Sequence, residues 1–235
     1  RTRRVQSGAG RTGRARESNA HRGRPPMAAM SLAARSLRME LAGGDTGCSG
    51  SKAFLADVVI GGTVPRGTAV RRSGARPGDL LFVSGRLGAS AAALRAGRPL
   101  PPVRPRLALG YYLRRLAAAM IDLSDGLSTD LNHLAEQSRV GAEVHADPLP
   151  RAGTLEEALH GGEDYELLFA VRPRLAGRVP PSLAGIALTR IGRTTGDRRV
   201  YLLHPDGRRA PLWPGGWEHF RAARGAKVFP ASGPQ

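Results

Sequence analysis

The sequence predicts an α+β fold carried on mixed or antiparallel sheets. Strand and helix patterns alternate along it, yet many of the connections have hairpin character rather than the long crossovers of a doubly wound parallel sheet. The 235 residues suit one large domain or two small ones. Hydrophobic residues make up 41% of them and aromatics only 5%, so the core must be built mostly from Ala, Leu and Val.

Residues 1–26 hold almost no large apolar side chains and a single acid, Glu17. Such a segment cannot offset the entropy of ordering and is expected to be a disordered Arg-rich tail, with Met27 or Met30 as the expected translation start. Residues 27–70 form a first globular stretch. Met30, Leu32, Leu37 and Leu41 share one helical face, "AGGDTGCSGS" reads as a Gly-rich loop, and "KAFLADVVIGGTVP" reads as a strand with Val58, Val59 and Ile60 near its end. Residues 71–225 form the second and longer stretch. "LLFVSG" predicts a strand closed by glycine, "ASAAALRAG" a helix, and "RPLPPVRPR" an exposed loop. A strand through Met120 and Ile121 then enters "DLSDG". The helix that follows carries Leu127, Leu131 and Leu134 at i, i+4 and i+7, with Gly141 beyond its end. "EVHAD", "LLFAV", "LTRIG" and "RRVYLLHPDG" supply further strands before "PGGWEHF" and a tail at 226–235. There is no internal repeat.

The net charge of +17 and the pI near 11.6 raise the question of nucleic acid. Lys52 and Lys227 are the only lysines, so nearly all the positive charge is Arg. These arginines are scattered without the interleaved aromatics of a base-stacking surface, which argues against a nucleic-acid partner. Cys48 is the sole cysteine, which excludes an intrachain disulfide and a cysteine-based zinc cluster and makes a reducing, cytoplasmic setting the expectation. No apolar run approaches the roughly 20 residues that span a bilayer.

Against this basic background, acids gather in three loops. "GGDT" holds Asp45 beside the paired Gly43 and Gly44, where backbone can approach an anion closely. In "DLSDG", Asp122 and Asp125 stand three apart where strand becomes helix. The free N–H groups of a helix start favour phosphate oxygens there, while Ser124 or Asp125 as an N-cap accounts for one acid but not two. "HGGEDYELLF" sets Glu163 and Asp164 on a Gly-supported loop entering a strand, so their side chains are expected to face different sides. Acids with glycine at three strand ends suit Mg²⁺-assisted phosphoryl transfer, because Mg²⁺ takes a few carboxylates plus substrate phosphates as ligands. A phosphate-binding G-x-x-x-x-G-K-[ST] loop, the protein-kinase signatures, HExxH and G-x-S-x-G are all absent from the sequence.

"LAGGDT", "VPRGTAVRRSGARPGDLLFVSGRLG", "MIDLSDGLSTDLNHLAEQS", "ALHGGEDYELLF" and "GWEHF", in this order, resemble the thiamine-monophosphate kinase family of the aminoimidazole ribonucleotide synthetase-like superfamily. The resemblance covers about residues 27–220. It implies a two-domain architecture and ATP-dependent phosphorylation of thiamine monophosphate to the diphosphate. It also implies Asp45, Asp122 and Asp125 as Mg²⁺ ligands, and Gly44, Asp45, Arg72 and Ser124 as contacts to ATP. Glu163 and Trp217 are implied as contacts to the thiamine substrate, no catalytic residue stands apart from these ligands, and a homodimer is the family's expected state. The family's N-terminal "GDDAA"-type loop and the acids that follow it have no counterpart here. The resemblance thus implies a truncated N-terminal domain, 27–70 as its remnant, 71–225 as the C-terminal α+β domain, and a question over turnover and dimerisation. An inactive remnant, a basic polyanion-binding protein and another ATP-using enzyme of the superfamily are the competing expectations.

Overall fold

The structure is a computed structural model that describes residues 28–44 and 57–217. The chain divides into two compact units, 1–62 and 63–235. In the first unit, helix α1 occupies residues 28–36, and Leu32 and Leu41 of its expected apolar face are exposed. The strand expected through Val58, Val59 and Ile60 is not found. Residues 57–64 have no regular structure, and these three side chains are 64%, 94% and 71% exposed, so no burial rewards pairing there. The part of that strand before residue 57 lies outside the described residues.

The second unit runs β1 (Leu80–Ser84), α2 (Ala89–Arg95), α3 (Leu107–Leu113), β2 (Ala117–Leu123), α4 (Leu127–Ser138), β3 (Gly141–His145), α5 (Leu155–His160), β4 (Glu166–Val171), α6 (Pro173–Ala176), β5 (Ser182–Leu183), β6 (Ile186–Thr195), β7 (Val200–Leu203) and β8 (Arg209–Pro211). The strands form one mixed sheet in the order β2-β4-β1-β6-β3-β7-β8, with β5 paired to β6. Every pairing is antiparallel except β3 with β7. Period-two alternation sends Leu81 and Val83 of β1 to one face and Phe82 to the other. The first face packs on Leu127, Leu131 and Leu134 of α4 and Leu159 of α5. The second packs on Leu109 and Leu113 of α3, with the Phe82 and Phe169 rings stacked 5.5 Å apart. Each of these buried leucines contributes about 1.5–3 kcal/mol over an exposed one.

Helix starts here follow two different chemistries. Thr154 and Glu157 close a reciprocal capping box on α5. At α4 the N-cap is Gly126, with φ 108° and no side-chain cap, so Ser124 and Asp125 are not spent as caps. Because β4 runs antiparallel to both β2 and β1, the exit of β2 at Leu123, the entry of β4 at Glu166 and the exit of β1 at Ser84 lie at one end of the sheet. The functional loops hang from that end.

Candidate active site at the β2–β4 end of the sheet

Ile121 and Leu123 anchor the end of β2 in the core, and Asp122 between them is turned to the opposite, exposed side. Past Leu123 the chain turns through Ser124 and Asp125 into α4. The Asp125 N–H donates to Oδ2 of Asp130, at 3.0 Å. Asp130 is 2% exposed, and burial pushes its carboxyl up to about 6. The hydrogen bond from Asp125 opposes that rise, and the charges of Asp125 and Asp122 reinforce it. Three carboxylates therefore sense one another where strand becomes helix. Asp130 is the one that the sequence reading missed; its only signal is an acid one turn into the helix that "SDG" opens.

The 160s loop is laced to the same turn. The Glu163 N–H donates to the Ser124 carbonyl at 2.8 Å and the Tyr165 N–H to the Leu123 carbonyl at 2.9 Å. Gly162 passes so close to the Ser124 carbonyl that a Cβ there would collide with it. Glu163 and Tyr165 both take left-handed backbone, φ 65° and 50°, which costs of order 1 kcal/mol or more per non-glycine residue and concentrates at functional sites. The two acids do part company, as the loop geometry predicts. Asp164 accepts from the N–H groups of Gly88, at 2.6 Å, and Ser90, at 3.2 Å, holding the start of α2, and burial raises its carboxyl above the ordinary range. Glu163 is exposed, and its carbonyl accepts from Ser90 Oγ at 2.7 Å. The Tyr165 phenol is raised first by burial, then by the charge of Glu163 and a hydrogen bond to it, and then by Asp122 and Asp125. That one hydroxyl thus ties the two acidic loops together electrostatically. Behind them, buried Glu166 accepts from Ser84 Oγ at 2.5 Å and is ion-paired with Arg106.

The segment after β8 closes the site. The N–H groups of Gly215 and Gly216 donate to Ser128 Oγ and Thr129 Oγ1 on the first turn of α4, at 3.2 and 3.1 Å. The Trp217 N–H donates to the Asp125 carbonyl at 3.1 Å. Gly216 has to be glycine, since a Cβ would strike that same carbonyl. The Trp217 side chain, 64% exposed, is thereby placed beside the acidic turn.

The structure accordingly brings Asp122, Ser124, Asp125, Glu163 and Trp217 together and adds Asp130 and Tyr165 to them. Arg72 is exposed on the segment along the outer edge of β2, where the Arg71 carbonyl accepts from the Met120 N–H and the Arg72 carbonyl from Ser138 Oγ. Gly44 is exposed in the first unit, and Asp45 lies outside the described residues. Among the described residues no group of three or more His, Cys, Asp and Glu is arranged to hold a metal ion. The turn does offer the carboxylates of Asp122 and Asp125, hard oxygen donors of the kind Mg²⁺ combines with substrate phosphates. No helix among the described residues is long and apolar enough to cross a membrane.

Residues 76–204, just over half of the chain, match the family described as AIR synthase related protein, C-terminal domain. The chain belongs to that family. It is 36% identical over 211 residues to the thiamine-monophosphate kinase of Salmonella typhimurium and 37% identical over 211 residues to that of Escherichia coli. Both matches cover 77% of this chain and 64% of the relative, so the chain spans under two thirds of the length of these curated relatives. Among solved structures it is similar to the thiamine-monophosphate kinase of Stenotrophomonas maltophilia, at TM-score 0.56 and 37% identity over 63% of this chain and 56% of that one. It is also similar to AaThiL complexed with AMPPCP and TMP, at TM-score 0.54 and 35% identity over 64% of this chain and 54% of that one.

Proposed function

We propose that this chain serves the ATP- and Mg²⁺-dependent phosphorylation of thiamine monophosphate to thiamine diphosphate, in the cytoplasm and as a homodimer. The observation that carries the proposal is the convergence of Asp122, Asp125, Glu163 and Trp217 on one turn, held by hydrogen bonds from the backbone N–H groups of Asp125, Glu163 and Trp217. The relatives at 36–37% identity are thiamine-monophosphate kinases, and one similar structure is a complex with AMPPCP and TMP. In this reading residues 27–70 belong to the nucleotide-binding domain and 71–225 to the substrate-bearing α+β domain.

Each residue then has a physical task. Asp122 and Asp125 would hold the cation, and a bound Mg²⁺ would supply charge neutralisation between two anions that otherwise repel. Ser124 and Arg72 bind ATP phosphates; the guanidinium of Arg72 neutralises charge on the transferring group. Glu163, exposed on its strained loop, meets the cationic thiazolium and aminopyrimidine of the acceptor, and Trp217 offers a face for stacking or cation–π contact. An oxygen of the acceptor phosphate attacks the γ-phosphorus in line, the bond from the γ-phosphorus to its bridging oxygen breaks, and ADP departs. The acceptor is already an anion, so no residue has to remove a proton. The test is thiamine diphosphate formation by the purified chain, read by thiochrome fluorescence, beside Mg²⁺-dependent ATP binding by calorimetry. Product or nucleotide binding that vanishes on chelation supports the reading. A folded chain showing neither overturns it.

A further inference from the structure

On the α3 side of the sheet, two cavities of about 570 and 450 Å³ adjoin through Ala108 and Ala184 and make one groove between α3 and the segment 178–187. One pole is cationic: Arg86, Arg104 and Arg106 line it beside the backbone of Gly85 and Gly185. Arg106 is matched by Glu166, but Arg86 and Arg104 have no carboxylate partner among the described residues. The guanidinium of Arg86 is nonetheless fixed, because Nε and Nη2 both donate to the Arg151 carbonyl at 3.0 and 2.5 Å. The other pole is aromatic. Tyr111 and Tyr112 line it with Arg115 and Arg178, and Tyr112 Oη donates to the Arg178 carbonyl at 2.8 Å, holding the two walls together. Leu109, Ile186 and two alanines supply apolar surface between the poles.

We propose that this groove binds a small phosphomonoester carrying a neutral planar ring, of the size of a nucleoside monophosphate. No acid lines either cavity and only Arg106 has a carboxylate partner, so the uncompensated charge of Arg86 and Arg104 favours an anion there, and guanidinium forks suit a phosphate better than any other common anion. Tyr112 and the face of Tyr111 opposite the Arg114 guanidinium, which lies 3.9 Å over that ring, give a planar ring a surface to stack on, and a cationic ring is repelled by Arg115 and Arg178. The proposal goes beyond the kinase reading and does not depend on it, because no residue of the groove belongs to the acidic turn.

The experiment is titration of the whole chain with AMP, inorganic phosphate and adenosine in excess EDTA, where carboxylates at the acidic turn repel phosphate instead of sharing a metal with it. AMP is expected to bind more tightly than phosphate or adenosine alone. Arg104→Ala should weaken AMP and phosphate alike by about tenfold, the worth of one charge-assisted hydrogen bond. Tyr111→Ala should weaken AMP and leave phosphate unchanged. Arg174→Ala, an exposed arginine on α6 outside the groove, should change neither. Loss of AMP binding in EDTA, or an Arg174→Ala effect equal to that of Arg104→Ala, overturns the proposal, the second by showing attraction to net charge alone. Asp122→Asn separates the two readings: it should abolish Mg²⁺-dependent ATP binding while leaving AMP binding in EDTA intact.

Discussion

At the scale of single residues, the acidic turn separates carboxylates that face outward from one that holds the turn. Asp122→Asn and Asp125→Asn keep the shape and remove charge, so in the proposed reaction turnover of thiamine monophosphate should fall by about two orders of magnitude or more, the usual cost of one preorganised electrostatic contact to a transferring group. The Mg²⁺ concentration for half-maximal rate should rise with it. Asp130 behaves oppositely. Its carboxyl titrates near 6 in the folded chain against an ordinary value of 3.8, so the folded state keeps a proton that the unfolded state has already lost. That contribution is whole below about pH 4 and is lost as pH rises to about 6 and beyond. With metal chelated, thermal stability should therefore decline over this window. Asp130→Asn, whose amide oxygen still accepts the Asp125 N–H, should flatten the decline and raise stability at pH 7 by about 1–2 kcal/mol after allowance for solvent screening. Fluorescence-monitored melting across pH 4–8 checks both, and a wild-type curve flat over that range refutes the assignment. Asp122, Asp125 and Glu163 were legible in the sequence because acid beside glycine at a strand end is a local pattern. Asp130 and Tyr165 were not, because their part in the site arises from distances that only the folded turn creates.

At the scale of elements, what presents Glu163 is a clamp on the residues that follow it: Asp164 holds the start of α2, and Glu166 is pinned by Arg106 and Ser84. Arg106→Ala leaves a buried carboxylate without its cation and should destabilise the chain by about 3 kcal/mol. Arg106→Met combined with Glu166→Gln should cost clearly less than the sum of the two single changes, as denaturant melts in a double-mutant cycle will show. The closing segment admits a similar test. Gly216→Ala drives a methyl into the Asp125 carbonyl, so it should unseat the Trp217 backbone and raise the KM for thiamine monophosphate more than it lowers kcat. Most of these elements could be read ahead: β1, β2, α4 and β4 follow plain period-two or i, i+4 patterns. Three helices could not. α3 begins directly after an Arg-Pro-rich stretch and carries Gly110 in its middle, α5 is only six residues long, and α6 has only four residues. The expected strand at 57–60 failed for the complementary reason, since an apolar run forms a strand only where a partner buries it.

At the scale of the whole molecule, the distribution of the core sets what can fold alone. Every residue of the two hydrophobic clusters lies between Ala75 and Leu212, inside the second compact unit. The buried ion pairs Arg106–Glu166 and Arg172–Asp79 also close within it. Residues 63–217 expressed by themselves should therefore unfold in one cooperative thermal transition, within a few degrees of the whole chain's main transition, as a single-core domain of this size does. Circular dichroism and calorimetry on the two chains decide it. A broad, non-cooperative melt of 63–217 would mean that the sheet depends on the first unit. A cooperative fold that also keeps AMP binding in EDTA would assign the groove to this unit alone.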